Sequence, residues 1–219
     1  MSTPKNQGLC VIVEGYSSAG PLVSLFKKRG YDAIHIKQTV TLSPYLASSF
    51  RKDEYAELID YTGDIDETLE KLSRHKIGCV LPGHEYGVEL ADQIADRLGV
   101  LSNGVKQSRA RWDKHAMSAR LKETGLKDIA MIKTGNSQEA VEWARKVDRW
   151  PVVVKLVDSG GMDGLGICRN EKELFLAFAE RIGRVNRASR INTELLVEEL
   201  IEGPEFAINT VSRKWLFLI

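Results

Sequence analysis

The chain has 219 residues, 43% apolar and 28% charged, with a formal net charge of +1. That balance describes a soluble globular chain of one or two domains and excludes a disordered or low-complexity protein. With both signs interspersed and the longest basic clusters as short as Lys27-Lys28-Arg29 and Arg109-Ala-Arg111, no basic face for nucleic acid is expected. No apolar run approaches the ~20 residues of a membrane span and the N-terminus lacks a signal-peptide layout, so the expectation is a cytoplasmic protein without a membrane partner. Cys10, Cys79 and Cys168 lie far apart with no Cys-x-x-Cys, which indicates neither a zinc site nor a disulfide framework. Cys10 and Cys79 fall in apolar strand-like runs and read as small core residues.

Gly8 to Val13 is a continuous apolar run that predicts a buried strand, followed by the loop Glu14 to Gly20 and an amphipathic helix through Leu22, Val23, Leu25 and Phe26 to Gly30. Tyr31 to Ile36 predicts a second strand. Asp64 with Glu67 opens a helix carrying Leu69 and Leu72, Ile77 to Leu81 is a further strand, and Gly87 to Leu98 a helix with Val88, Ala91, Ile94, Ala95 and Leu98 on one face. The alternation implies a parallel sheet in an α/β unit of Rossmann-like type. Its first loop spells Gly15-x-x-x-x-Gly20 and lacks Gly-x-Gly-x-x-Gly, so it reads as structural and not as a dinucleotide site. His84 and Glu85 follow Leu81-Pro-Gly83 at the C-terminal strand edge, where such folds place ligands. They are candidate substrate contacts, or else a helix-capping acid beside an exposed imidazole. His35, inside a strand, reads as packed, and His75 and His115 show no ligand spacing for a metal.

Ser108 to Gly125 predicts one helix closed by glycine, with Trp112, Ala116, Ala119 and Leu121 at helical spacing. A smaller α/β module follows: strand Ala130 to Lys133, helix Ser137 to Val147, strand Val152 to Lys155, a glycine loop, strand Gly166 to Cys168, helix Glu171 to Ile182 and strand Glu194 to Leu200. Asn170 with Glu173 suggests a capping box, and Leu174, Phe175, Phe178 and Ile182 a buried stripe.

The chemistry gathers in this module. Trp150-Pro-Val-Val-Val-Lys155 delivers one lysine from a buried strand, and the following Ser159, Gly160, Gly161, Met162, Asp163 and Gly164 can bend tightly and turn backbone N–H groups toward an anion. The lysine precedes the glycines, so this is no Walker A loop. A glycine-rich turn after a strand is equally often only a turn. Some thirty-five residues later Leu195-Leu-Val-Glu-Glu-Leu-Ile201 ends an apolar strand in acids suited to accept from an adenine amino group and ribose hydroxyls. Glu198 and Glu205 are the candidate acceptors, Glu199 the one read as solvated.

The two stretches at this distance resemble the ATP-grasp superfamily. The resemblance implies a Rossmann-like preceding domain over 1–107 that binds a carboxylate substrate, a connecting helix over 108–126, a small ATP-lid lobe over 127–200, and the start of a C-terminal lobe over 201–219 that looks incomplete. It further implies that Lys114, in Asp113-Lys114, reaches the nucleotide phosphates with Lys155, that the 159–164 flap covers the γ-phosphate, and that the backbone of Leu200 and Ile201 meets the adenine ring while Glu205 holds the ribose. Without the resemblance, Lys114 would read as a solvated surface lysine. The cofactors implied are ATP and Mg2+, with the metal ligands expected beyond Ile219. Gly83 to Asp92, Gly99 to Asn103 and Ser108 to Lys114 are most similar to L-amino-acid ligases, which imply ATP-dependent amide formation between a carboxylate and an amine, often in a homodimer. Another ATP-grasp activity, carboxylase-like or purine-pathway, and a non-catalytic ATP-binding fragment are the alternatives. Leu156 departs from the family's usual proline after the strand lysine.

Overall fold

The structure is a computed structural model that describes residues 8–39, 41–157, 163–186, 190–204, 206, 211–213 and 216–218. Its first sheet has four parallel strands, β1 (Gly8–Val13), β2 (Tyr31–Lys37), β3 (Glu57–Asp60) and β4 (Ile77–Pro82), in the order β3-β2-β1-β4. Helices α1 (Leu22–Lys28), α2 (Pro44–Ala47), α3 (Ile65–Ser73) and α4 (Val88–Leu98) connect and cover them. Strand alternation sends Val11 and Val13 of the central β1 into one core with Ile34, Ile36, Leu72 and Ile94, and Ile12 into another with Val23, Ala33 and Tyr55. Burial on both faces is why β1 reads as an unbroken apolar run. Asp64 caps α3 by accepting from the Asp66 amide at 2.8 Å, as its spacing to Glu67 suggested. β3, by contrast, went unread: Glu57-Leu-Ile-Asp60 is short, charged at both ends, and buries only Ile59.

The strand order reverses between β1 and β4, so their C-terminal ends form the switch point where open α/β sheets take ligands. Beside the first loop that crevice is filled by the chain itself. A Cβ on Gly83 would lie 2.6 Å from the Glu14 carbonyl oxygen and 2.7 Å from Gly15 Cα, and one on Gly15 would collide with the Tyr55 hydroxyl. Glu14, at φ 58°, buries its carboxylate against the backbone amides of Gln38 and Thr39, the latter at 2.9 Å. The Gly15 amide donates to His35 Nε2 at 3.0 Å. The loop is a tight structural turn.

The expected single helix from Ser108 is two pieces. A 3-10 turn over Arg109–Arg111 stops at Trp112, and α5 runs Lys114–Glu123. Asp113 breaks the run because its side chain takes the N-cap role, accepting from the Ala116 amide at 2.9 Å. The segment before it is drawn back onto α4, where Asp92 accepts from Ser108 Oγ at 2.6 Å and from Arg111, and Glu89 accepts from Trp112 Nε1 at 3.0 Å. Within α5 only Ser118 is buried, and Leu121 is exposed, so no inward stripe forms.

The second sheet has β5 (Met131–Thr134), β6 (Val152–Leu156), β7 (Gly166–Cys168) and β8 (Leu195–Glu199) in the order β5-β8-β6-β7, each pair antiparallel. Helices α6 (Ser137–Val147) and α7 (Glu171–Arg181) cover one face, packing Ala140, Val141, Ala144, Leu174 and Phe178 against Val152, Val154, Leu156, Leu195 and Val197. Asn136 and Asn170 cap the two helices, and Glu173 reaches back to the Arg169 amide at 2.8 Å. Phe175 is 38% exposed and not part of the buried stripe, because the i, i+3, i+4 set Leu174, Ala177 and Phe178 already fills the inward face. Glu199 is not solvated either: it accepts from the Ala130 amide at 3.1 Å and from Arg149, with its side chain 13% exposed. An antiparallel pair, β9 (Val211–Arg213) and β10 (Leu216–Leu218), follows. Among the described residues no helix is long and apolar enough to cross a membrane.

His35 is buried and its pKa falls from 6.5 to about 4, first through desolvation and then through Lys37. A lowered histidine pKa means that the unfolded chain takes up the proton more readily, so stability is full above about 6.5 and drains as pH falls toward 4, by at most about 3 kcal/mol. Urea unfolding of wild type and His35→Gln across that window should show a shallower loss in the variant. Identical slopes would contradict the assignment.

Candidate active site

Because side chains alternate along a strand, the face of the second sheet turned away from α6 and α7 carries Met131 and Lys133 of β5, Leu196 and Glu198 of β8, and Val153 and Lys155 of β6. In register, Leu196 stands between Lys133 on one side and Lys155 on the other, while Glu198 is flanked by Met131 and Val153. An apolar floor with cations at one end and an acid at the other results. Lys155 Nζ forms an ion pair with the Glu198 carboxylate, which is only 8% exposed, whereas the lysine side chain keeps 31% exposure. A carboxylate so buried is tolerated because the ammonium is beside it.

The start of α5 lies along the same face. Asp113, 2% exposed, accepts from Arg109 Nε at 3.3 Å and sits 3.9 Å from Lys133 Nζ, which also lies 3.7 Å from Glu194. Burial raises its pKa, but the Ala116 amide, Lys133 and Arg109 outweigh that and hold the carboxyl below its usual range. Lys114 is the first residue of the helix that Asp113 caps. Beyond β8, Leu200 is half-buried and Ile201 exposed, where the chain leaves the ladder. At the far end of the glycine flap Gly164 takes φ 64°, and its carbonyl accepts from Arg181 Nε at 2.8 Å. Ser159, Gly160, Gly161, Met162 and Glu205 lie outside the described residues.

His84 and Glu85 stand at the C-terminal edge of β4. His84 is half-buried, and its buried Nδ1 has no hydrogen-bond partner; Glu85 is exposed in the turn that leads into α4. Desolvation lowers the His84 pKa, so the ring is neutral near pH 7. Its ring lies 4.7 Å from that of Tyr86, and the Arg190 guanidinium sits 4.0 Å above Tyr86. Arg190 belongs to the second unit and is tied to Asn186, whose amide donates to the Arg190 carbonyl at 2.8 Å and whose side chain bonds Asn192 at 3.0 Å. The two units therefore meet beside His84. Among the described residues no group of three or more His, Cys, Asp and Glu side chains could hold a metal ion.

Lys133 and Arg190 escaped the sequence reading. Lys133 could have been found, since an inward Ile132 obliges Met131 and Lys133 to face the other way. Arg190 had no such signal, because its position depends on its bonds to Asn186 within the folded lobe.

Residues 113–210 match the ATP-binding domain family of the carbamoyl-phosphate synthase L chain. Residues 113–210 are thus similar to an ATP-binding domain, and the chain has a fold like that of solved ATP-grasp structures. Dapdiamide A synthase of Enterobacter agglomerans is 30% identical over 97% of this chain and 50% of its own length. The crystal structure of an L-amino acid ligase from Bacillus licheniformis superposes with a TM-score of 0.66 at 16% identity, covering 97% of this chain and 49% of that one. The biotin carboxylase domain of a Hydrogenobacter thermophilus 2-oxoglutarate carboxylase, solved with MgADP and bicarbonate, has a TM-score of 0.56 at 18% identity over 89% of this chain and 45% of that one. The chain thus spans about half the length of relatives such as the synthase and the amino acid ligase.

Asp113 joins a helix cap to a cross-element ion pair, and the two parts can be separated. Asp113→Ala should cost about 1–3 kcal/mol in urea unfolding, whereas Asp113→Asn, which keeps a good cap, should cost less than half of that. Equal losses would mean that the cap contributes nothing.

Proposed function

We propose that the chain forms the nucleotide-binding half of an ATP-dependent carboxylate–amine ligase that joins an amino acid carboxylate to an amine. The observation that carries this reading is the Lys155–Glu198 pair on the helix-free face of the second sheet, beside an apolar floor and the Asp113-Lys114 helix start. The likeness to a dapdiamide synthase and to an amino acid ligase supports the amide-forming chemistry. On this reading Lys155 and Lys114 neutralise the nucleotide phosphates, and Glu198 accepts from the adenine amino group. The backbone of Leu200 and Ile201 meets the ring nitrogens and Glu205 holds the ribose. The flap from Ser159 through Gly160, Gly161, Met162 and Asp163 to Gly164 covers the γ-phosphate and keeps water away.

The γ-phosphoryl group passes to the carboxylate oxygen and ADP leaves; the amine then attacks the acyl carbon, inorganic phosphate departs, and the amine's proton is released. Positioning and charge neutralisation supply the catalysis, and no side-chain nucleophile is required. His84 and Glu85 face the carboxylate substrate at the junction of the two units. Enzymes of this class use Mg2+, but the described residues assemble no ligand set for it, so no step is assigned to a metal. The three cysteines are free thiols, consistent with a cytoplasmic setting.

ADP release with ATP, Mg2+ and a panel of single and paired amino acids, measured on this chain and on a chain extended to its relatives' length, tests the reading; amino-acid-dependent ADP is expected from the longer chain, and none from it in a folded sample would contradict the ligase. Calorimetric titration with ATP tests the site separately. Lys155→Met should weaken ATP binding about 10-fold or more, roughly 1.4 kcal/mol per decade. Because that change strands Glu198, the double variant Lys155→Met with Glu198→Gln should recover stability without recovering affinity. Unchanged ATP affinity in both would reject the site.

A further inference from the structure

Cys10 and Cys79, 69 positions apart by their numbers, are direct Cα partners on the neighbouring strands β1 and β4. The pairing depends on an irregularity. Leu9 faces Ile77, but the next residue, Cys10, faces Cys79, so Gly78 is passed over as the extra residue of a bulge. Without it Gly78 would oppose Cys10, and Cys79 would oppose Val11 on the other face of the sheet. Parallel partners point to the same side, so the two side chains face one another across the ladder. Neighbouring strands stand ~4.8 Å apart, within the ~4.4–6.8 Å that disulfides span between Cα atoms, so the bond needs little backbone movement.

We propose that Cys79 and Cys10 form a thiol–disulfide pair, with Cys79 the thiol that disulfide-type oxidants such as oxidised glutathione reach first and Cys10 the thiol that closes the bond. β4 is an edge strand and Cys79 is half-buried, which gives a reagent access, whereas Cys10 is 1% exposed. The hydrogen bond from Cys10 lowers the Cys79 pKa, and the same contact together with burial raises that of Cys10. Access assigns the same roles: the half-buried outer sulfur is the nucleophile and the buried inner one closes the bond.

The exchange balances. The Cys79 thiolate attacks one sulfur of oxidised glutathione, the S–S bond breaks and one glutathione thiolate leaves. Once Cys79 is uncharged, Cys10 gives up its proton to the departing thiolate and attacks the Cys79 sulfur, releasing the second glutathione. Two protein thiols are oxidised and one glutathione disulfide is reduced. The product staples β1 to β4 below the switch point whose rim carries Glu14 and His84.

The test incubates the reduced, folded chain with oxidised glutathione and follows intact mass and peptide maps. The expected result is loss of two hydrogens, a linked Cys10–Cys79 peptide, and Cys168, 3% exposed in the second core, remaining a free thiol. Cys10→Ala should stop at a glutathione adduct on Cys79. A wild-type chain that yields no linked peptide, or in which Cys168 reacts as fast as Cys79, overturns the proposal, and neither observation depends on a variant folding.

Discussion

The site rests on the antiparallel register between β6 and β8. Val152, Val154 and Leu156 with Leu195 and Val197 must lie under α6 and α7, and that requirement sends Lys155 and Glu198 together to the opposite face. A slip of either strand by one residue would turn its charge into the core without its partner, where an unpaired ionised group costs several kcal/mol. The apolar pattern thus fixes the position of the polar chemistry. The pairing also holds the Glu198 carboxylate in a nearly dry place beside the Lys155 ammonium.

A second constraint ties this face to the rest of the chain. The segment between the sheets is fastened to α4 through Asp92 and Glu89, and it ends at Asp113, which caps α5 and reaches Lys133 in β5. One buried carboxylate therefore sets both the direction of the helix that starts with Lys114 and its place beside the second sheet. Arg190 over Tyr86 makes a separate contact across the units, next to the unpartnered imidazole nitrogen of His84. The helix-free face of the second sheet and the switch-point rim are held in one frame by polar contacts that can each be removed singly.

Much of the fold was legible because its elements obey strong periodicities. The run from Gly8 to Val13, the α6 stripe of Ala140, Val141 and Ala144, and the Asp64 and Asn170 caps each state their structure locally. What escaped was decided by competition or by distance. β3 is too short and charged to show a period, and Asp113 fits either a helix interior or a cap until tertiary contacts choose the cap. Phe175 lost its place inside to the smaller Ala177. The pairing of Lys155 with Glu198 was implicit in two separate motifs, but their contact depends on a register that no local pattern states. Arg190 and the bulge that sets Cys79 against Cys10 arise only from the folded arrangement.

Amide hydrogen exchange of the chain with and without ADP would test the central claim most directly, since it reports where a nucleotide sits without presupposing turnover. Added protection should fall on residues 153–164 and 195–201 and leave the Glu14 to Gly20 loop unchanged. Protection confined to that loop and to the end of β4 would place the nucleotide at the switch point of the first sheet and contradict the account.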